Sequence, residues 1–325
     1  MRKLIAIGEA LIDFIPNQSG CKIKDVAEFK PIVGGAPANV CGAYTKLGGD
    51  SVLITQLGMD PFGDKIVEEF ASHGIGCEYI SRTEEANTSL AFVALEEDGG
   101  REFSFYRKPG ADMLLNQDRI KKEWFEDAYA LHFCSVSLGD FPMKQAHRKA
   151  IEYAKECGAI ISFDPNVRLP LWKDHEKLRQ AILEFLPLAD IVKISDEELA
   201  FITGEDTIEE AVKKVFCGDV KVLVYTKGVS GAECYTKNTC AKVEGRRVDA
   251  LDTTGAGDAF IGSFLFQLQK DQVKKEELSE LTEEVMKEYL LFSNEYCGVS
   301  VMRRGAIASY ATMEEMNRNC VQNEK

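Results

Sequence analysis

Short apolar runs alternate with stretches of helical periodicity over most of the chain. Buried strands are predicted for the runs at 4–8, 51–57, 130–135, 159–163, 191–194 and 220–225. Helices are predicted where apolar positions recur at helical spacing, at 60–73, 142–157, 174–186 and 207–216. Repeated strand–helix alternation predicts an α/β fold in which helices cover both faces of a mostly parallel sheet. Such folds bind ligands beyond the carboxyl ends of their strands.

Two segments interrupt this alternation. Residues 14–32 contain short strand-like pieces without a helix, and residues 87–107 form two alternating runs joined at Asp98-Gly99-Gly100, which predicts a hairpin. We therefore expect one domain over 1–325 in which about 14–32 and 87–110 form a small β lid. The alternative is a hairpin that extends the edge of the main sheet. The charge-rich stretch 271–290 predicts an amphipathic helix.

The amino-acid composition limits the classes of ligand that the protein can bind. Asp and Glu number 53 and Lys and Arg 39 in 325 residues, so the net charge is −14. A chain this acidic is a poor general partner for nucleic acid or an anionic membrane, and an anionic ligand would need locally placed cations or a metal. No stretch approaches the ~18 apolar residues of a membrane span. The ten cysteines are scattered without a CxxC pair, which favours buried thiols in a reducing cytoplasm over disulfides or zinc.

The most informative motif is Asp252-Thr-Thr-Gly-Ala-Gly-Asp-Ala-Phe-Ile-Gly262, a glycine-rich turn that enters an apolar helix. Unpaired amides at a helix start, together with the helix dipole, form an anion-binding site. Asp258 is unexpected there because a carboxylate repels an anion. It is either a helix-capping residue or a general base that accepts a proton from a hydroxyl attacking a phosphoryl group.

A second motif, Val33-Gly-Gly-Ala-Pro-Ala-Asn-Val40, pairs two glycines with an amide side chain. The glycines allow a ligand to approach the backbone, and Asn39 can donate to and accept from a hydroxyl. The alternative is a tight turn followed by a polar helix residue. Asp13 follows the first strand, where a carboxylate could accept hydrogen bonds from a polyol, although a surface carboxylate is the simpler interpretation.

These motifs resemble those of the ribokinase-like family, also called the PfkB carbohydrate kinases, and the resemblance spans nearly the whole chain. Gly8–Asp13 resembles the amino-terminal motif of the family. The segment from Gly34-Gly35 through Asn39 to Gly58 is similar to its first signature, and Asp252–Asp258 resembles the second. The implied fold is a three-layer α/β sandwich with a small β-sheet lid, and the implied activity is transfer of the γ-phosphate of ATP to a sugar hydroxymethyl.

The resemblance also implies roles for individual residues. The sugar would lie between Asp13, Gly34, Gly35 and Asn39, with Asp258 as the base and the amides of Gly255, Ala256 and Gly257 around the γ-phosphate. The remaining predicted nucleotide contacts are Lys193, Ser195, Thr226, Lys227, Gly228, Gly231 and Asn294. For Asn294, an ordinary position on a helix surface is the alternative.

Metal sites are implied as well. The family motif Asn-x-x-Glu is replaced by Ser195-Asp-Glu-Glu198, in which serine has a shorter reach than asparagine. Glu198 is retained and is expected to hold Mg²⁺ through water. The alternative is an acidic first helical turn. Some members bind a monovalent cation such as K⁺ beside the anion site. The matching residues are Asp252, Thr254, Ser300, Arg303, Gly305 and Ser309.

The segments 103–112 and 163–168 are similar to those of bacterial fructokinases and also resemble those of 2-keto-3-deoxygluconate kinases. Tyr106, Arg107 and Arg168 are the implied sugar contacts, and the two arginines could pair with the carboxylate of an acid sugar. Arg168 could instead pair with Asp164. Fructose is favoured, with the keto-deoxy acid, a ribose-type sugar and a non-catalytic sugar-binding regulator as alternatives.

Unpaired strand edges in the lid predict a homodimer joined through lid strands. The alternative is a monomer whose lid edges are protected by Lys22, Lys24 and Lys30. Sugar binding is expected to close the lid and shield the γ-phosphate from water until the hydroxyl is present.

Overall fold

The computed structural model describes residues 2–18, 20–95 and 101–323. Its main sheet has nine strands, which in chain order are β1 Lys3–Ile7, β4 Ser51–Gly58, β5 Ile80–Thr83, β8 Ala128–Cys134, β9 Ile160–Asp164, β10 Ile191–Ser195, β11 Val222–Thr226, β12 Ala232–Tyr235 and β13 Cys240–Val243. Their spatial order is β13-β12-β11-β10-β9-β8-β1-β4-β5. Along this spatial order, neighbouring strands from β11 to β5 pair in parallel. Strands β12 and β13 extend the sheet beyond β11 with antiparallel pairing.

Helices cover both faces of this sheet. They are α1 Ala36–Lys46, α2 Pro61–Ser72, α3 Pro142–Glu156, α4 His175–Phe185, α5 Asp196–Thr203, α6 Ile208–Val215, α7 Ala256–Lys270, α8 Glu283–Val301 and α9 Met313–Asn323. Strand β1 shows why two cores form. Leu4 and Ala6 belong to the core with α1, α7 and α8, whereas Ile5 and Ile7 belong to the core with α3 and α4. Because successive side chains of a strand point to opposite faces, a continuously apolar strand supplies both cores.

A second sheet, separate from the main sheet, has the four strands β2 Leu11–Pro16, β3 Phe29–Gly34, β6 Leu90–Leu95 and β7 Arg101–Tyr106. Their spatial order is β3-β2-β6-β7. The expected lid is therefore a separate small sheet, and the alternative of an extended main-sheet edge is wrong. Strands β2 and β3 extend beyond the predicted 14–32, whereas β6 and β7 lie within the predicted 87–110. The predicted turn Asp98-Gly99-Gly100 lies outside the described residues.

Aromatic rings attach one face of the small sheet to the main body. Phe14 and Phe92 stack with ring centroids 4.6 Å apart, and Phe29 contacts both rings edge-on. Phe62 of α2 packs edge-on against Phe14 at 5.7 Å. The small sheet is thus supported on this face, while the face that includes Asp13 is directed away from these rings, since adjacent residues of a strand alternate.

The predicted helix at 271–290 is wrong in its first half. Helix α7 ends at Lys270, Gln272 has left-handed backbone (φ 56°), and a short 3₁₀ turn covers Lys275–Glu280. Helix α8 begins only after Thr282, whose hydroxyl accepts a hydrogen bond from the amide of Val285. The apolar spacing at Leu278 and Leu281 marks buried contacts of the turn rather than one helical face.

Candidate active site

The carboxyl ends of the central strands converge on the start of helix α7. Asp164 ends β9, Lys193 lies near the end of β10, and Glu9 follows β1. All three are buried, at 1%, 4% and 3% exposed. Charged groups buried this deeply require partners, so their hydrogen bonds define the geometry of the site.

The glycine-rich turn forms the predicted anion site at the start of α7. Gly255 is the N-cap and has left-handed backbone (φ 74°), where a Cβ atom would lie 2.5 Å from the Tyr310 hydroxyl. The amide of Ala256 donates to the carbonyl of Thr253 at 3.2 Å. Among the described residues, the amides of Gly255 and Gly257 have no hydrogen-bond partner. This turn therefore offers fewer free donors than the three amides expected, but it retains an anion-binding helix start.

Asp258 is the third residue of α7, and its carboxylate contacts two asparagine side chains. Asn39 Nδ2 donates to Oδ2 at 2.9 Å and Asn166 Nδ2 approaches Oδ1 at 3.4 Å. The described hydrogen bonds of this carboxylate thus leave the helix, which argues against a simple capping role. Burial raises the pKa of Asp258 to about 6, while the Asn39 hydrogen bond opposes this shift. A carboxylate with this pKa is ionised at neutral pH and can accept a proton.

Lys193 forms a buried ion pair with Asp164, with Nζ 2.7 Å from Oδ2. Burial alone would lower the pKa of Lys193, but the Asp164 and Glu198 carboxylates outweigh it and raise that pKa. Its ammonium also lies 3.1 Å from the position that a Cβ on Gly257 would occupy. The pair therefore places a permanent positive charge beside the anion site, and it shows that Asp164 pairs with Lys193 rather than with Arg168.

The predicted sugar-binding residues form a second group beside Asp258. Asp13 lies over Gly34, where a Cβ would come within 2.2 Å of Asp13 Oδ2, and Gly35 (φ 119°) precedes α1. No described residue donates a hydrogen bond to the Asp13 carboxylate. Burial raises the pKa of Asp13 to about 7, against the attraction of Arg168. Asn39 is 5% exposed, and its Oδ1 has no partner among the described residues. Both groups are thus available to substrate hydroxyls.

Of the two further predicted sugar contacts at the end of strand β7, Tyr106 is not brought to this group. The strand register places Tyr106 opposite Leu90, on the face that includes Ile12 rather than Asp13, and its ring packs against Phe92. Tyr106 therefore lies on the face of the small sheet opposite to Asp13. The neighbouring residue Phe105 is the one that shares the face of Asp13.

Arg107 is 9% exposed and forms an ion pair with Asp112, in which Nε is 2.9 Å from Oδ2. Its guanidinium also donates to the hydroxyl of Ser137. This arginine is thus bound to a protein carboxylate. Arg168 is exposed and donates only to the carbonyl of Val167 among the described residues. Burial raises the pKa of both Asp13 and Asp258, and the positive charge of Arg168 offsets part of this effect. Arg168 is therefore the predicted cation that faces the sugar group.

The predicted nucleotide-binding residues lie at the neighbouring strand ends. Thr226 ends β11 beside Ser195 of β10, and Lys227 Nζ is 2.7 Å from Glu233 Oε1. Asn294 Nδ2 contacts the carbonyl of Glu244 at 3.4 Å. Glycines permit the tight turn between β11 and β12: Gly228 and Gly231 have φ values of 50° and 98°. Lys227 is thus paired within the protein, whereas the backbone of this turn remains open to a ligand.

The metal-associated residues are held by the backbone. Glu198 Oε1 accepts from the amide of Val167 at 2.6 Å and Oε2 from that of Ser195 at 2.9 Å. Each carboxylate oxygen still has acceptor capacity for a water molecule, so the residue fits a water-bound Mg²⁺. No group of three His, Cys, Asp or Glu in the described ranges is arranged to hold a metal directly.

The residues expected at a monovalent cation lie around the end of helix α8, where the carbonyl of Val301 accepts a hydrogen bond from the amide of Asp252 at 3.1 Å. Asp252 Oδ1 accepts from the amide and hydroxyl of Thr254, and Oδ2 accepts from the amide of Gly305 at 2.9 Å. The hydroxyls of Ser300 and Ser309 lie 2.9 Å apart. Arg303 instead pairs with Glu315 and is directed to the surface helix α9. These residues thus form two hydrogen-bonded groups, Asp252 with Thr254 and Gly305 and Ser300 with Ser309, and the Arg303 side chain is bound elsewhere.

Sequence reasoning missed several buried polar partners. Glu9 accepts from the amide of Ala36 at 3.3 Å and from the Ser137 hydroxyl at 3.1 Å, and the Tyr310 hydroxyl donates to the carbonyl of Gly255 at 2.9 Å. Polar residues in otherwise apolar surroundings were the available signal. Their partners are 27 to 128 residues away in sequence for Glu9 and 55 for Tyr310, so only the folded chain reveals them.

Comparisons with known proteins agree with this architecture. A model of the pfkB family carbohydrate kinases matches residues 1–313. The probable fructokinase-2 of Arabidopsis thaliana is 41% identical over 310 residues, which cover 95% of this chain and 93% of the relative. The structure of fructokinase with bound ATP from Xylella fastidiosa has a TM-score of 0.92 and 32% identity, with 99% of each chain covered. A Vibrio cholerae O395 fructokinase with fructose, ADP and calcium bound has a TM-score of 0.85 and 30% identity over 98% of both chains.

These matches extend over nearly the whole chain, and the structural neighbours confirm the ribokinase-like fold predicted from the sequence. The two motifs that form the site, Gly34–Asn39 and Asp252–Asp258, lie within the matched residues. The chain belongs to the pfkB family of carbohydrate kinases.

Proposed function

We propose that this protein is an ATP-dependent fructokinase that transfers the γ-phosphate of ATP to the terminal hydroxymethyl of D-fructose, giving fructose 6-phosphate. The observation that best supports a catalytic role is the buried Asp258 carboxylate, held by amide side chains at the start of α7 beside free backbone amides. Relatives and structural neighbours named as fructokinases support the choice of sugar.

The proposed chemistry is an in-line phosphoryl transfer. The sugar hydroxymethyl donates a hydrogen bond to Asp258, and its proton moves to that carboxylate as the oxygen forms a bond to the γ-phosphorus. The bond between the γ-phosphorus and the bridging oxygen breaks, and ADP leaves with that electron pair. The amides of Gly255 and Gly257 and the ammonium of Lys193 stabilise the negative charge on the transferring group.

The sugar would be oriented by the group of Asp13, Gly34, Gly35 and Asn39. Asp13 accepts hydrogen bonds from sugar hydroxyls, and Asn39 Oδ1, which lacks a partner in the described structure, accepts another. Gly34 lies so close to Asp13 that a side chain there would displace the Asp13 carboxylate. Such fixed acceptors reduce the entropy lost on aligning the hydroxymethyl with Asp258.

The charge balance favours a neutral sugar over a keto-deoxy acid. Arg107 is paired with Asp112 and has the Glu9 carboxylate nearby, so its charge is compensated within the protein. Arg168 is the predicted cation that faces the sugar group, and the carboxylates of Asp13 and Asp258 already balance part of its charge. Lys193 is paired with Asp164. An added sugar carboxylate would therefore meet two carboxylates and no unbalanced cation, which disfavours it.

Metal ions complete the proposal. Mg²⁺ would be held through water by Glu198 and by the ATP phosphates, and it would neutralise charge on the transferring phosphate. A monovalent cation such as K⁺ would bind in the loop region of Asp252, Thr254, Gly305 and Ser309. For the latter, we expect activity in KCl to exceed activity in tetramethylammonium chloride at equal ionic strength. Equal rates would contradict the monovalent site alone.

The function is tested by coupled detection of ADP with a panel of fructose, ribose and 2-keto-3-deoxygluconate. We expect fructose to give the highest kcat/KM and phosphorus NMR of the product to show a phosphate on carbon 6. Faster turnover of the keto-deoxy acid or of ribose would replace the proposed substrate. Sugar binding without ADP formation from any substrate would identify a non-catalytic protein.

We further propose a homodimer joined through the lid strands β2, β3, β6 and β7. The face opposite the ring cluster includes Phe103 and Phe105, whose rings stack at 5.8 Å, and Phe103 is 37% exposed. Static light scattering at micromolar protein should give twice the chain mass. Phe103→Asp should reduce it to the monomer mass, whereas a wild-type monomer would favour the edge-protected alternative.

A cytoplasmic location is proposed on the state of the cysteines. All cysteines that the structure describes are free thiols, as expected in a reducing compartment. None of the described helices combines the length and apolar composition needed to cross a membrane. Cell fractionation tests the location, and recovery in an oxidising compartment would contradict it.

A further inference from the structure

The turn after strand β9 contains an unusual backbone conformation. Asn166 has φ 45°, in the left-handed region, and Gln272 is the other non-glycine residue with positive φ among the described residues. Left-handed backbone is unfavourable for most residues with a side chain, although asparagine adopts it more readily than most others, and it persists where surrounding contacts enforce it. Gln272 is an exposed turn residue, whereas Asn166 is 7% exposed and lies at the candidate active site.

Two carboxylates hold this turn in place. Asp164 Oδ1 accepts from the amide of Asn166 at 3.1 Å, and Glu198 Oε1 accepts from the amide of Val167 at 2.6 Å. The carbonyl of Pro165 accepts from the amide of Ser135 at 3.1 Å. Because hydrogen bonds to charged acceptors are strong, three elements together fix the direction of the Asn166 side chain.

That side chain is directed at the catalytic carboxylate. Asn166 Nδ2 lies 3.4 Å from Asp258 Oδ1, and Asn39 Nδ2 lies 2.9 Å from Oδ2. Each carboxylate oxygen is therefore contacted by one neutral amide donor from a different element, so rotation of the carboxylate would break at least one contact. Asn39 is already expected at the sugar, whereas no role has been given to Asn166.

We propose that Asn166 is a positioning residue that orients the Asp258 carboxylate and stabilises its ionised form. The inference rests on the proposed function, in which Asp258 is the base. Asn166 acts through Asp258 and supplies no proton itself, since an amide does not titrate in this range. The left-handed turn after β9 lets the short side chain of Asn166 reach the start of α7.

Removing this donor should affect the ionisation of Asp258. The ionisable groups that face Asp258 are Asp164, Lys193, Arg168, Cys134, Cys297 and Tyr310. None of these is changed by a substitution at Asn166. Loss of a hydrogen bond to the carboxylate raises its pKa, so the acid limb of kcat should move to higher pH by about 0.5–1 unit.

The main variant is Asn166→Gly, because glycine adopts left-handed backbone without strain. We expect its melting temperature to remain close to that of the wild type while kcat at pH 7.5 falls about tenfold and the fructose KM changes less than threefold. Asn166→Asp should move the acid limb further than Asn166→Gly, because a second carboxylate then faces Asp258. Gln272→Gly is the matched control and should alter neither kcat nor the pH profile.

A substrate-free measurement separates this inference from the proposed function. The side-chain amide resonance of Asn39, assigned with Asn39→Ala, should titrate with Asp258, and its midpoint should move upward in Asn166→Gly. If the protein does not phosphorylate fructose, the proposed function is wrong, but this titration still tests the contact between Asn166 and Asp258. The inference is overturned if the midpoint is unchanged, if Asn166→Gly keeps wild-type kcat, or if kcat falls only in proportion to lost stability.

Discussion

Replacing Asp13 with asparagine should weaken sugar binding and stabilise the free protein. Asp13 is on strand β2, and its carboxylate lies over Gly34 of strand β3. No described residue donates a hydrogen bond to this carboxylate. Burial raises its pKa from 3.8 to about 7, and the attraction of Arg168 offsets only part of that shift. The residue is thus kept in an unfavourable environment that becomes favourable when sugar hydroxyls supply hydrogen bonds.

The magnitude for stability follows from the pKa shift. Because the pKa of Asp13 is higher in the folded protein than in the unfolded chain, protonated Asp13 contributes to the free energy of unfolding. This contribution is fully present below pH 3.8 and is lost as the pH rises through about 7. At pH 8 the ionised Asp13 therefore lowers the free energy of unfolding by at most about 4 kcal/mol. Asp13→Asn removes the charge and keeps the shape, so its melting temperature at pH 8 should exceed that of the wild type by several degrees. The difference should disappear near pH 4.

The magnitude for binding follows from the hydrogen bonds. Hydrogen bonds to a charged group contribute about 1.5–3 kcal/mol each, so the fructose KM of Asp13→Asn should rise about 10- to 100-fold at pH 8. The ATP KM should change less than threefold. In the wild type the fructose KM should also rise as the pH falls below about 7, since the protonated carboxyl is a weaker acceptor, whereas the variant should show little pH dependence.

The assay combines thermal unfolding between pH 4 and 8 with initial rates measured by coupled ADP detection. Asp25→Asn is the matched control, because Asp25 is exposed on the segment between β2 and β3. The reasoning is refuted if Asp13→Asn lowers the melting temperature at pH 8, or if the KM values for fructose and ATP rise equally.

Three further changes have defined outcomes. Gly34→Ala should raise the fructose KM at least tenfold with little effect on the ATP KM, because its Cβ would lie 2.2 Å from an Asp13 oxygen; initial rates test this, and an unchanged fructose KM would contradict it. Arg107→Met should lower the free energy of unfolding by about 3–5 kcal/mol, since it leaves Asp112 buried and unpaired. Urea unfolding measures this, and a large KM increase at unchanged stability would restore Arg107 as a sugar contact. Fructose without ATP should slow amide exchange in the lid strands β6 and β7, and no change despite calorimetric binding would mean that the small sheet is fixed.

Six strands of the main sheet, β1, β4, β8, β9, β10 and β11, could be predicted because they are nearly all apolar and alternate with amphipathic helices. Strands β5, β12 and β13 were not predicted, because each has only four residues and includes polar side chains. The small sheet was recognisable as an interruption of that pattern, but its separation from the main sheet depends on the pairing of β2 with β6, which are far apart in sequence. The helix boundary before Thr282 was missed for a different reason. Burial of Leu278 and Leu281 mimics helical spacing, although the backbone follows a 3₁₀ turn.

The candidate site was predictable where the backbone itself forms it. The glycine-rich turns and Asp258 follow from local sequence, because glycine and a helix start determine where amides point. Side-chain pairing was not predictable. Arg107 and Asp112 are only five residues apart, yet Arg107 was expected at the sugar, and Asp164 pairs with Lys193 rather than Arg168. Which cation a buried carboxylate selects depends on strand order and depth, which a sequence pattern does not specify.

The central claim is that Asp258 accepts the proton of the sugar hydroxymethyl, and kcat of Asp258→Asn tests it most directly. Asparagine is nearly isosteric, so calorimetry should show fructose and ATP binding within a few-fold of the wild type. Loss of a general base lowers the rate about 10²- to 10⁴-fold. A kcat reduced by that factor with both ligands still bound is the predicted result. A variant that keeps more than about a third of the wild-type kcat would contradict the claim and make Asp258 a structural residue of helix α7.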